Sequence, residues 1–268
     1  MEGKIINIDH KRKLLYKRKR KRQLMFRITI MLIMFCILSL IVALNNMSKK
    51  NSIINNKVKL AASNEVISPK DKITVCIDPG HGDWDIGTKG KTGVLEKDIT
   101  LNIALRLGQL LEAEGIKVVY TRTNDSLTWL ETSNDSLKER IKIPEIFNAD
   151  LFISIHCNSN YDDLNSRGIE VWHKPSDDAA IELSNTLKTS LMKLKYTEDR
   201  GLKTYEDKED ALAVLELNKS TSALIELGFL SNTLDERYLG SKTGQENCAK
   251  AIKQGILAYI ENKQEKSN

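Results

Sequence analysis

The chain has 268 residues, 41% of them apolar and 29% charged, with 14 Gly, 4 Pro and 4 Cys. That composition fits one substantial packed domain or two small ones, and excludes wholesale disorder, a collagen-like fibre and a cysteine-stapled miniprotein. The net charge of +5 is unevenly placed: residues 1–50 hold 13 Lys+Arg against 2 Asp+Glu, and the remainder, with 28 against 34, carries −6, so its mildly acidic body predicts no nucleic-acid partner.

Lys11–Lys13 and Lys17–Arg22 crowd a basic tail over 1–27, ahead of the uncharged seventeen-residue stretch Ile28–Leu44. A spanning helix needs about 17–25 such residues. The segment therefore reads as a transmembrane anchor, with the cations cytoplasmic and everything after Leu44 outside. A cleaved signal has the same polarity and would make the protein secreted, but ALNNMSK offers no small-x-small cleavage site. A buried core helix behind a nuclear-import-like basic run would find nothing in the first 70 residues to cover it. Residues 45–71 are polar, rich in Asn, Ser and Lys, and read as a linker. One domain follows over 72–262, then a short polar tail at 263–268.

Within that domain strands and helices alternate. Ile73–Asp78 is a β-branched run ending in Pro-Gly. Ile99–Ala113 has helical spacing, with Gly115 as its C-terminal cap. Ile116–Thr121 reads as a strand. Ser136 and Glu139 form a capping-box pattern that opens a helix to Asn148. Leu151–His156 and Gly168–Trp172 read as strands and Asp178–Leu194 as a helix. Ala211–Leu217 and Ala223–Glu226 read as extended, and Gln245–Ile260 as the last helix. This alternation predicts an α/β fold with a mostly parallel sheet covered by helices on both faces.

In such a sheet reactive groups collect at the carboxyl ends of the strands. His81 lies just beyond the first strand, in DPGHGD. His156 is expected to end the third strand, in SIHCN, and Glu226 a late one, in ALIELGF. Glu96 falls in GVLEKD, a loop ahead of the first helix. Two imidazoles and a carboxylate are the ligand set of hydrolytic zinc sites, with one position left for water. Ligands drawn from such distant stretches fit a catalytic metal better than a zinc finger.

The blocks IDPGHGDWDIGTKGKTGVLEKD, RIKIPEIFNADLFISIHCNSN and ALIELGFLSN resemble the three signatures of the zinc-dependent N-acetylmuramoyl-L-alanine amidases of the amidase-3 family. The resemblance runs from Ile73 to Ile260. It implies a six-stranded α/β sheet, one Zn2+ held by His81, Glu96 and His156, and Glu226 as the catalytic carboxylate. It also implies the substrate: peptidoglycan, cut at the amide between the lactyl group of N-acetylmuramic acid and L-alanine. A zinc peptidase acting on stem peptides and a non-catalytic, membrane-tethered wall-binding module are the competing readings.

Further residues carry two readings each. Asp78 orients His81 by a hydrogen bond or caps the Pro-Gly turn. Asn158 occupies the family's position for a polar substrate contact or forms a turn. Arg140 and Arg200 coincide with family arginines and meet stem-peptide carboxylates or form surface ion pairs. His173, beside Trp172, is structural or substrate-facing. Cys76 and Cys157 read as small buried hydrophobes, Cys157 pointing away from whatever His156 binds. Asp83 replaces the second glycine of the family's His-Gly-Gly, and Cys157 its usual alanine. The short stretch 158–168 leaves no room for an inhibitory helix. An activating protein partner is unspecified by sequence, and the minimal layout matches relatives that process the spore cortex, which raises a role in sporulation.

Overall fold

The computed structural model describes residues 73–127, 132–207 and 211–267. The expected tail, anchor and linker lie outside the described residues. Among the described residues no helix is long and apolar enough to cross a membrane.

The domain is built around a six-stranded sheet flanked by helices. Its strands are β1 (Thr74–Pro79), β2 (Lys117–Tyr120), β3 (Leu151–Asn158), β4 (Ile169–Trp172), β5 (Asp199–Lys203) and β6 (Thr221–Phe229), in the spatial order β2-β1-β3-β6-β4-β5. Four of the five pairings are parallel; only β4 against β6 is antiparallel. The helices are α1 (Glu96–Ala113), α2 (Ser133–Ile146), α3 (Asp178–Met192), α4 (Ala213–Glu216), α5 (Thr233–Leu239) and α6 (Lys242–Ser267).

Strand side chains alternate between faces, and here the two faces are unequal. Val75 and Ile77, Ile153 and Ile155, and Ala223, Ile225 and Leu227 join a large core with Ile103 and Leu107 of α1, Leu183 and Leu187 of α3, and Ile252 and Ile256 of α6. Each such aliphatic side chain, fully buried, contributes about 1.5–3 kcal/mol. Cys76, Phe152 and Leu224 face the other way into a small core closed by Val214 and Leu215 of α4, with Leu137 and Ile143 of α2 packed on it. That thinly covered face leaves room at the carboxyl ends of β1, β3 and β6.

Several elements depart from expectation. Ala211–Leu217 is not extended: Ala213–Glu216 forms a helical turn that buries Val214 and Leu215, and a short apolar run carries no period that tells helix from strand. Ser136 does not open its helix. The helix begins at Ser133, and the Ser136 N–H donates to Thr132 O inside its first turn. Strand β5, Asp-Arg-Gly-Leu-Lys, is a polar edge strand of the kind that carries no apolar alternation. Helix α5, capped by the Asn232 side chain on Leu234 N, had no expected counterpart. Helix α6 continues through the expected boundary at 262/263, and Lys266 reaches Glu182 of α3.

Candidate metal centre and active site

Four segments converge above the thin face. His81 sits two residues beyond β1, and its φ of 60° places a non-glycine residue in the left-handed region, a conformation that persists only when its surroundings enforce it. Two buried arginines do so. Arg122 donates to Pro79 O at 3.0 Å and Gly80 O at 2.9 Å; Arg140 donates to Pro79 O at 2.8 Å and also to His81 O.

Arg140 is itself fixed by Asp78 in a buried ion pair. Asp78 also accepts from the Thr121 and Ser154 hydroxyls at 2.6 and 2.7 Å. Burial opposes ionisation of Asp78, but the Arg140 charge and these two hydroxyls outweigh it and hold the carboxyl below its usual range. The structure therefore revises two expectations. Asp78 makes no hydrogen bond to the His81 ring, and Arg140 lies beneath the loop with its donors spent on Asp78, Pro79 and His81 rather than on the surface. Together they shape the loop that presents His81.

Glu96 is the first residue of α1, not a loop residue. His156 is followed by two more strand residues, and Glu226 by three. These extensions follow from the pairing of His156 with Glu226 across β3 and β6, after which the register shifts. Cys157 falls in the large core, facing away from His156. Cys76, Cys157 and Cys248 are free and buried, and burial pushes their thiols up.

Among the described residues, one group of donors is disposed to hold a metal ion: His81, Glu96 and His156, whose ligating atoms lie within 4.8 Å of one another. Glu96 Oε1 stands 3.1 Å from both His81 Nε2 and His156 Nδ1. Burial would raise the Glu96 carboxyl, yet hydrogen bonds and charge from the two histidines hold it far below its usual range. Its position is also fixed by main-chain donors, Cys157 N on Oε1 and Thr88 N on Oε2, each at 2.8 Å. The space is kept open by glycine: a Cβ on Gly80 would come within 2.4 Å of the His156 ring, and one on Gly87 within 2.6 Å of Glu96 and His81. Two imidazoles and a carboxylate suit zinc and leave a coordination position for water.

The sequence reading missed Asp85, whose Oδ1 lies 2.9 Å from His81 Nδ1. A carboxylate beside the ring nitrogen opposite the one facing Glu96 is the arrangement that commonly supports a metal-ligating imidazole. Burial alone would lower His81, but Glu96 and then Asp85 hold its pKa up at about 9. Spacing of four from His81 in a turn was the available signal. Asp85→Ala is expected to weaken metal binding about 10–100-fold, measured by competition with a chelator of known affinity; unchanged affinity would remove Asp85 from the site.

Glu226 adjoins this group. Its Oε2 is buried and has no hydrogen-bond partner among the described residues. Burial first, then the negative charges of Glu96 and Glu170, raise its carboxyl well above the usual range. A second omission is Glu170, opposite Glu226 on β4. It gathers Arg200, Asn158 and Trp172, so Asn158 and Arg200 both meet one carboxylate on the strand beside Glu226. The signal was a charged residue in the apolar run Ile-Glu-Val-Trp, since buried charges are almost always paired. His173 is buried with its Nδ1 3.0 Å from Lys174 O, outside the metal-disposed group.

Comparison with known proteins agrees with this geometry. The family Amidase_3, N-acetylmuramoyl-L-alanine amidase, matches residues 75–258. The N-acetylmuramoyl-L-alanine amidase LytC of Bacillus subtilis (strain 168) is 34% identical over 222 residues, 82% of this chain and 42% of LytC. The probable cell wall amidase LytH of Staphylococcus aureus is 31% identical over 196 residues, 72% of this chain and 60% of LytH. This chain thus spans less than two thirds of either relative. The CwlD amidase from Clostridioides difficile, solved in complex with the GerS lipoprotein, matches with a TM-score of 0.65 and 34% identity over 71% of this chain and 99% of that one. The sheet, the clustered donors and the match over 75–258 together establish that this chain belongs to the N-acetylmuramoyl-L-alanine amidase family Amidase_3.

Proposed function

We propose that this protein is a zinc-dependent peptidoglycan amidase that hydrolyses the bond between the lactyl group of N-acetylmuramic acid and L-alanine of the stem peptide. The observation that carries the reading is the convergence of His81 Nε2, Glu96 Oε1 and His156 Nδ1 beside a buried Glu226 oxygen that has no hydrogen-bond partner among the described residues. His81, Glu96 and His156 would hold one Zn2+, which when bound lowers the pKa of water toward about 7 and polarises a carbonyl.

The chain's own residues supply the proton traffic. Glu226 accepts a proton from the attacking water through its free Oε2 and delivers it to the departing alanine nitrogen. Without that delivery an amine anion would have to leave. A carboxyl whose pKa is raised by burial suits a group that must both take a proton and hand it on. Asp85, Arg122 and Arg140 keep the His81 loop in place, and Glu96 is immobilised by two main-chain donors, so little reorganisation is needed during the reaction.

The placement of the domain outside the membrane, tethered by Ile28–Leu44, rests on the uncharged run and the cations preceding it. An activating protein partner is part of the proposal because the similar CwlD amidase was solved bound to a lipoprotein.

Digestion of purified peptidoglycan by the zinc-loaded full chain tests the reaction. Free L-alanine amino termini should accumulate, together with muramic lactyl carboxyl ends. Release of free amino acids from peptide termini would instead identify a stem-peptide peptidase, and no new end groups at all would identify a binding module.

A further inference from the structure

Directly beyond His81 the chain folds back on itself. Gly82 N donates to Asp85 O at 2.8 Å and Asp85 N to Gly82 O at 3.1 Å, which makes Asp83 and Trp84 the central residues of a tight turn. His81, Gly82 and Asp83 all have positive φ, at 60°, 133° and 57°. Glycine accepts this region without strain, whereas a side chain stays there only where its neighbours enforce it. Asp83 is therefore held, and its partners show how.

Asp83 reaches out of the turn to a distant stretch of chain. Its Oδ2 accepts from Leu127 N at 3.0 Å, and in return Asp83 N donates to Asp125 Oδ1 at 2.8 Å. The main-chain oxygen of Asp83 accepts from Lys97 Nζ at 2.7 Å, and the same ammonium donates to Asp125 Oδ2 at 2.6 Å. Asp83, Lys97 and Asp125 thus close a ring of bonds in which the ammonium and the Asp125 carboxylate lend charge to every contact. The turn is also packed on that stretch: a Cβ on Gly82 would stand 2.8 Å from Leu127 Cδ1 and 3.0 Å from Arg122 Cδ.

The ring joins two stretches that carry metal-competent side chains. Within the turn, Asp85 Oδ1 lies 2.9 Å from His81 Nδ1. Lys97 follows Glu96 on α1, and its N–H donates to Ile86 O at 3.3 Å. Arg122 and Arg140 grip the carbonyls from Pro79 to His81, and the ring grips the chain beyond them.

We propose that Asp83 is a positioning residue: clamped by Asp125, Lys97 and Leu127 N, it fixes the turn that presents Asp85 to His81, so that the imidazole is aimed at Glu96 before an ion arrives. This rests on the metal-centre reading and adds to it a residue that acts on the ion through Asp85.

The test uses the full chain, with Zn2+ as the probe in competition with a chelator of known affinity. Asp83→Gly permits the same backbone but removes the clamp, and zinc affinity should fall about tenfold. The melting temperature of the metal-free protein should stay close to wild type, because relief of the left-handed strain offsets the lost bond. Asp83→Asn keeps an acceptor oxygen and tolerates the left-handed region, so its affinity should stay within about threefold of wild type. Asp125→Ala opens the ring from its other side and should lose affinity as Asp83→Gly does. In an Asp85→Ala background, Asp83→Gly should cost less than about twofold more, since the two act along one path.

Wild-type affinity in Asp83→Gly, an equal loss in Asp83→Asn, or additive losses with Asp85→Ala would overturn the proposal. So would a lowered melting temperature with zinc affinity intact, the mark of a purely structural bond. A wild type that binds no zinc would overturn the metal-centre reading and the proposal with it, whereas the other outcomes strike the clamp alone.

Discussion

Glu226→Gln is expected to lower amide hydrolysis by on the order of 10²–10⁴-fold while leaving zinc bound and raising the melting temperature of the metal-free protein. The rate falls because the amide that replaces the carboxylate cannot take a proton from water or hand one to nitrogen. Stability moves the other way for a reason visible in the folded state. The Glu226 carboxyl is raised by burial and by its neighbours Glu96 and Glu170, and its Oε2 has no hydrogen-bond partner among the described residues. A carboxyl raised in the fold confers its full stability below the unfolded-state pKa and loses it as pH climbs toward the folded value. As pH rises above the unfolded-state value that contribution is lost, so at neutral pH replacing the carboxyl should recover on the order of 1 kcal/mol, or about 2–4 °C for a domain of this size. The gain should vanish below about pH 4, where the wild-type carboxyl is protonated in both states. Kinetics and thermal melts on the same sample check both halves. A variant with wild-type turnover would take Glu226 out of the chemistry, and one that had also lost zinc would make it a ligand instead.

Removing a ligand should have an effect at least as large and of a different kind. His156→Ala should reduce bound zinc from about one per chain to a small fraction and hydrolysis by on the order of 10³-fold or more, since the bound ion's lowering of water's pKa is lost. Chelation of the wild type should do the same, reversibly on adding zinc. The fold should survive both treatments. Glu96 keeps its main-chain donors Thr88 N and Cys157 N, and the His81 loop keeps Arg122 and Arg140, none of which needs the ion. Circular dichroism alongside metal analysis distinguishes loss of zinc from loss of structure, and activity that persists through stripping would contradict the metal role altogether.

How much of this was readable beforehand depended on which physical signal each residue carried. His81, Glu96 and His156 were legible because a polar, metal-competent residue next to an apolar strand or helix has few other reasons to be there, and the structure brings all three together. Period-two alternation correctly sent Cys157 away from His156 into the core. Charge pairing was illegible. Whether Arg140 met a ligand or an internal carboxylate depended on α2 laying it beneath the His81 loop, a contact across 62 positions with Asp78. Glu170 was passed over for the same reason, its partners Asn158 and Arg200 being supplied by two other strands. Strand β5 escaped notice because it is a polar edge, and turn α4 was read as extended because it is too short to show a period.

The central claim is that three side chains from separate stretches of sequence grip one zinc ion. Anomalous scattering at the zinc absorption edge, from crystals of the protein purified with zinc, tests it most directly. The account predicts a single peak about 2.0–2.2 Å from His81 Nε2, a Glu96 oxygen and His156 Nδ1. A peak elsewhere, or none at that site in zinc-saturated protein, would contradict it.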